Sequence, residues 1–114
     1  MEIIQNFLDT HYAEDIQRND LSDIVFVSPD HLSRLFKKET GLSLMKYVTK
    51  TRITAACSLL AESRMPINRV ALQVGYGNFA YFSKIFREIT GMTPMNYRKQ
   101  SQAADSTGKD SPPF

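Results

Sequence analysis

The chain has 114 residues, 42% of them hydrophobic, which suits one compact domain with a modest core. A single cysteine, Cys57, excludes a disulfide framework and a cysteine metal centre, and no apolar run approaches the ~20 residues of a membrane span. The net charge of +2 is unevenly spread: residues 1–30 carry seven acids against one base, residues 31–99 twelve bases against three acids. A basic stretch of that size favours a polyanionic partner. With no secretory signal pattern at the N-terminus, the simplest compartment is the cytoplasm.

Taken in chain order, the pattern is helical throughout. Ile3, Ile4, Phe7, Leu8, His11 and Tyr12 recur at helical spacing and mark a first helix. Leu21, Ile24 and Val25 mark a short second one. Ser28 is an N-cap, with Pro29 at the favoured first position and Gly41 suited to the left-handed residue past the end, so 29–40 reads as a helix. Ser43 caps a longer helix, 44–62, with Val48, Ala55, Ala56, Leu59 and Leu60 as its apolar stripe. After Pro66, Val70, Ala71 and Val74 mark a short helix. Asn78 caps 79–90, which ends at Gly91, and Thr93-Pro94 opens a final short helix bearing Tyr97. No stretch alternates with the period of a strand, so the expected fold class is all-α, with seven helices. Residues 100–114 are polar and rich in Ser, Gly and Pro, the composition of a disordered tail.

The chain repeats itself at an offset of fifty. Leu32–Tyr47 and Phe82–Tyr97 share Ser33/Ser83, Phe36/Phe86, Thr40/Thr90, Gly41/Gly91, Met45/Met95 and Tyr47/Tyr97. A repeat of this kind implies two copies of one supersecondary unit. Each copy reads as short helix, tight turn, capped helix, which is helix-turn-helix grammar, with the capped helix available to a DNA major groove. The first capped helix turns Leu32, Leu35 and Phe36 inward and Asp30, His31, Ser33, Arg34, Lys37 and Lys38 outward. In the second, Tyr81 or Phe82 packs inward with Ile85 and Phe86, leaving Asn78, Phe79, Ala80, Ser83, Lys84 and Arg87 outward.

Three segments carry a family resemblance: V-G-Y…Y-F…F-R…G-M-T-P-M-N-Y-R (Val74–Arg98), S-P-D-H-L-S-R-L-F-K-K-E-T-G (Ser28–Gly41) and Y-V-T-K-T-R-I-T-A-A-C-S-L-L (Tyr47–Leu60). Together they resemble the DNA-binding domain of the AraC/XylS family of bacterial transcriptional regulators, from about Ile3 to Lys99. The resemblance implies a homeodomain-like domain over 1–99. It would hold a first helix-turn-helix at about 17–40, a linker helix at about 44–62 and a second helix-turn-helix at about 66–90. The linker helix, at 1.5 Å per residue, would be ~28 Å long. Successive major-groove entries on one face of DNA are ~34 Å apart, so one chain can hold two reading heads in register.

By the same resemblance, Asp30, Ser33 and Arg34 are base-reading positions in the first copy, and Phe79, Ala80, Ser83 and Lys84 in the second. Arg34 suits a guanine, bidentate to O6 and N7. Asp30 either accepts from a cytosine amino group or simply favours its helix N-terminus. Phe79 and Ala80 have no side-chain hydrogen bond to offer and leave thymine methyls as their contact. Lys37, Lys38, Arg87, Lys46 and Lys50 are phosphate candidates, with Lys46 and Lys50 equally readable as solvated surface charges. The resemblance further implies an activator that contacts RNA polymerase, needs no cofactor, and sits behind a sensor or receiver domain in a larger protein. Two positions depart from the family pattern. Phe26 stands in the first turn where glycine is common, at a cost on the order of 1 kcal/mol if the site is left-handed. Thr51 occupies a linker-helix site that is usually apolar.

Other readings are weaker. Two histidines and one cysteine, far apart, form no metal set, and no phosphate loop or nucleophile motif appears, so no enzyme is expected. Cys57 lies among apolar neighbours and reads as an inert thiol; His11 reads as structural, and Arg52 as packing within the domain. The rival from another class is a helical protein-docking module, which would show an apolar outward stripe. Arg34, Lys37 and Lys38 argue against it; Phe79 and Ala80 argue for it.

Overall fold

The computed structural model describes residues 2–16 and 18–104. Among them are seven helices and no strand: α1 (Glu2–His11), α2 (Arg18–Val25), α3 (Pro29–Thr40), α4 (Leu44–Glu62), α5 (Ile67–Gln73), α6 (Phe79–Thr90) and α7 (Pro94–Ala104). The all-α expectation holds. The chain divides into two compact units at Thr51/Arg52, partway along α4.

In the first unit, Ile4 and Leu8 of α1, Leu21 of α2, Leu32 and Phe36 of α3, and Leu44 and Val48 of α4 form one buried cluster. In the second, Ile53, Ala56, Cys57 and Leu60 of α4 are buried, as are Val70 and Ala71 of α5, Phe82 and Phe86 of α6, and Tyr97 of α7. The apolar residues of α4 are therefore two sets rather than the single stripe read from the sequence, with Ala55 and Leu59 only half-buried. Thr51 sits between the two sets. Its hydroxyl donates to the Tyr47 carbonyl at 2.9 Å, so the polar atom is satisfied within its own helix.

The two units share their punctuation almost atom for atom. Ser28 Oγ accepts from His31 N (3.2 Å) and Asn78 Oδ1 from Tyr81 N (2.9 Å), opening α3 and α6. Gly41 and Gly91 both take φ +82°, and each donates to a carbonyl four residues back at 2.8 Å. The preceding threonines repeat a second device. Thr40 Oγ1 lies 2.8 Å from Phe36 O and accepts from Leu42 N at 3.2 Å; Thr90 Oγ1 does the same with Phe86 O and Met92 N. Ser43 and Thr93 then accept from Lys46 N and Asn96 N, opening α4 and α7.

Where the copies differ, the difference has a cause. The turn after α5 uses Gly75 at φ +108°, followed by a Tyr76 N–H to Ala71 carbonyl bond of 2.8 Å. The turn after α2 has the same form, with Val27 N–H donating to the Ser22 carbonyl at 3.3 Å. Phe26 stands in the left-handed place, at φ +58° and 92% exposed. The bulky residue is held in a conformation its Cβ disfavours, and it buries almost nothing in return.

At the other end, α7 continues to Ala104, through five residues that the sequence reading gave to a disordered tail. Its last turns close the C-terminus of α4: Arg98 Nε donates to the Leu60 carbonyl (3.1 Å), and Gln102 Nε2 to the carbonyls of Leu60 and Ser63 (3.2 Å each). These carbonyls are orphans of the α4 terminus, and satisfying them keeps 100–104 helical despite its polar sequence. The rest of the expected tail lies outside the described residues.

Two stability predictions follow. Phe26→Gly relieves about 1–2 kcal/mol of backbone strain against roughly 0.4–1 kcal/mol of added unfolded-chain entropy. The expected net is ~0.5–1 kcal/mol of stabilisation in chemical denaturation. Thr90 is only 8% exposed, and Thr90→Val removes the partner of the part-buried Met92 N–H, which should cost about 1–3 kcal/mol. Thr40→Val makes the same cut where water can reach and should cost less in the same melts.

Candidate nucleic-acid interface

A helix that reads a groove needs one face fixed to its own protein and the other left bare. In α3 the fixed face is Leu32 and Phe36, both fully buried, with Leu35 half-buried. Asp30, His31, Arg34, Lys37 and Lys38 are exposed, and Ser33 is half-buried at the margin. Arg34, Lys37 and Lys38 stand at i, i+3 and i+4, so three cations share one side of the helix. Asp30 lies in the first turn, where a carboxylate suits the helix dipole.

In α6 the fixed face is Phe82, Phe86 and Thr90. This settles the Tyr81 or Phe82 alternative: Phe82 is fully buried and Tyr81 is 52% exposed. The outward face carries Phe79, Ala80, Lys84 and Arg87, with Ser83 half-buried like its counterpart Ser33. Asn78 is exposed, and its side-chain oxygen accepts from the Tyr81 amide as the helix cap. Tyr81, one of the two inward alternatives offered by the sequence, joins the outward face instead. The repeat register could have found it, since it pairs Tyr81 with the exposed His31.

An edge-on aromatic contact anchors each of α3 and α6 to the helix that follows it. Phe36 meets Tyr47 edge-on, with centroids 5.5 Å apart and planes at 86°. Phe86 meets Tyr97 in the same way at 5.6 Å and 82°. The tyrosine hydroxyls end differently. Tyr47 donates to Asp9 Oδ1 of α1 at 2.9 Å, and burial together with that carboxylate raises its pKa. Tyr97 hydrogen-bonds Cys57. Lys46 and Lys50 are exposed on α4, Lys46 in its first turn.

The residues read as structural are placed accordingly. The His11 ring stacks on Phe7 at 4.2 Å, with Nδ1 3.0 Å from the Phe7 carbonyl. The Arg52 guanidinium lies over the Tyr76 ring, 5.1 Å from its centroid. Cys57 is buried and burial pushes its thiol up to about 11, against the smaller lowering effect of the Tyr97 bond. A buried thiol with a raised pKa carries little thiolate at neutral pH, which lowers its reactivity. Among the described residues no group of three His, Cys, Asp or Glu is placed to hold a metal ion, and no helix is long and apolar enough to cross a membrane.

Comparison with known proteins gives the arrangement a family. A helix-turn-helix domain family matches residues 21–100. The bifunctional transcriptional activator/DNA repair enzyme AdaA of Bacillus subtilis is 32% identical over 106 residues, covering 93% of this chain and 50% of that protein. The C-terminal domain of AraT, a response regulator from Geobacillus stearothermophilus, superposes with a TM-score of 0.83 at 32% identity, covering 87% of this chain and 83% of that one. The DNA-binding domain of AdpA, a global transcriptional factor solved in complex with a target DNA, has the same fold, with a TM-score of 0.87 at 22% identity over 94% of this chain and 96% of that one. The protein is a DNA-binding regulatory domain of helix-turn-helix type. It belongs to the AraC/XylS family of transcriptional regulators. The chain spans about half or less of the length of the curated relatives it matches.

Two substitutions separate reading from positioning. Arg34→Ala should relax discrimination at one base pair of a bound site by about 1–3 kcal/mol. Lys38→Ala should weaken every sequence alike and reduce the salt slope by about one. Binding isotherms on matched and singly altered duplexes check both, and identical behaviour of the two variants would refute the division.

Proposed function

We propose that this domain recognises a specific duplex of roughly two turns by inserting α3 and α6 into successive major-groove segments. The observation that carries the reading is the repeated bare face. Two helices with the same caps each keep one side buried and present cations on the other: Arg34, Lys37 and Lys38 on α3, Lys84 and Arg87 on α6. Arg34 reads a base edge, with Asp30, His31, Ser33, Ser83 and Lys84 around the base-reading turns. Lys37, Lys38, Lys46, Lys50 and Arg87 hold phosphates and supply affinity rather than sequence.

The domain acts as the output end of a larger regulator, and its role there is activation through contact with RNA polymerase. The family resemblance supports the polymerase contact. The length of the relatives, and the fact that AraT is a response regulator, support a sensing or receiving domain elsewhere. Relatives described as transcriptional activators, AdaA and the Btr regulator of Bacillus subtilis, support activation.

The test is a fluorescence-anisotropy titration of the 114-residue chain into a labelled duplex of about 25 base pairs at several salt concentrations. A log–log slope between about −4 and −8 is expected, since several phosphates would be neutralised. No binding at low salt from a folded, helical sample would overturn the reading in favour of a protein-docking module.

A further inference from the structure

We propose that the first turn of α6 reads C5-methyl groups, so that one or two base pairs in the half of the DNA site it contacts are selected for thymine. The inference rests on α6 being a recognition helix, and it names what that helix recognises. The repeat register places Phe79, Ala80 and Tyr81 against Pro29, Asp30 and His31. The first turn of α3 thus offers a carboxylate and an imidazole, whereas the same turn of α6 offers carbon at its first two positions. Phe79 is 46% exposed and Ala80 is exposed, so both stand on the bare face. The one amide oxygen nearby, on Asn78, is already used by the Tyr81 N–H.

The Phe79 ring is also held in place. Its centroid is 6.3 Å from that of Phe82, which is fully buried and lies 5.7 Å from Phe86. A ring propped on the core loses little rotamer freedom when a base arrives. On a major-groove edge of unmodified DNA the one apolar group is the thymine C5-methyl. Guanine O6 and N7, or a cytosine amino group, pressed against Phe79 and Ala80 would lose water and gain no partner. Attraction to the methyl and exclusion of the polar edges therefore act in the same direction. A buried methyl corresponds to about a four-fold change in affinity.

The experiment begins by selecting a binding duplex from a random pool with the 114-residue chain. Each thymine of the selected site is then replaced singly by deoxyuridine, which removes the methyl and leaves the hydrogen-bonding edge intact. The expected result is a loss of about three- to five-fold at one or two neighbouring positions on one side of the site. Ala80→Asp, which restores the residue type of the first copy, should abolish that sensitivity; Phe79→Ser should do so independently, and circular dichroism checks that both variants fold. The proposal is overturned if no deoxyuridine substitution changes affinity by more than about 1.5-fold, or if neither variant alters the response. A chain that binds duplex with a steep salt slope yet shows no methyl dependence refutes this inference and leaves the DNA-binding reading intact. A chain that binds no duplex refutes both.

Discussion

The structure depends on fixing a helix from one side only. A surface helix of twelve residues is marginal in water, and most of its stability has to come from the apolar face it buries. In α3 and α6 the opposite face must stay bare, so that single face carries the whole load. Phe36 and Phe86 meet it: each is fully buried at the centre of its unit and each takes a tyrosine edge-on from the following helix. The end devices then limit fraying. A side-chain cap begins each helix, and a left-handed glycine with a bridging threonine ends it, so the outward side chains project from a backbone pinned at both ends. A loosely held helix could not keep those side chains in one geometry.

This explains which parts were legible in the amino-acid sequence. Caps and stops are local chemistry, written in one or two residues. Ser28-Pro29, Asn78, Gly41, Gly91, Ser43 and Thr93 therefore marked their helices in place. Burial on α3 was equally readable, because Leu32 and Phe36 have only one face to occupy. Relations between distant segments were not. The extension of α7 to Ala104 depends on Gln102 reaching the Leu60 carbonyl, a separation of 42 residues that no local pattern encodes. The apolar residues of α4 looked like one stripe because periodicity cannot say that a helix serves two cores in turn. Adjacent aromatics defeated the pattern at Tyr81 and Phe82, where one step around the helix decides which ring goes inside. The site was legible as a set of exposed cations. The half-burial of Ser33 and Ser83 and the double use of Asn78 required coordinates.

The two copies also show where a repeat is free to diverge. Cap bonds, glycine dihedrals and threonine bridges agree between them to within about a third of an ångström and a few degrees. Side chains on the bare faces agree only in part: Ser33/Ser83, Arg34/Lys84 and Lys37/Arg87 match in type, whereas Asp30 faces Ala80, His31 faces Tyr81 and Lys38 faces Glu88 in the register. Positions that bear on folding are constrained by energies of a kilocalorie or more each, whereas an exposed substitution usually changes stability by less than about half of one. The outward faces can therefore acquire different specificities at almost no cost to the scaffold.

Phe26 tests the limit of that freedom, because it departs from the repeat at a position the scaffold does constrain. Gly75 fills the equivalent left-handed place in the second unit without strain. The first unit tolerates a phenylalanine there because the strain is confined to one residue of an exposed turn, while the Val27 to Ser22 bond that closes the turn is still made, at 3.3 Å rather than 2.8 Å. Strain of this size inside α3 would displace its outward side chains. In the turn it is absorbed before Ser28, whose cap bond resets the geometry at the start of α3. The first unit thus confines the irregularity to a turn three residues before α3 begins, and that confinement lets a duplicated scaffold vary its turns as well as its bare faces.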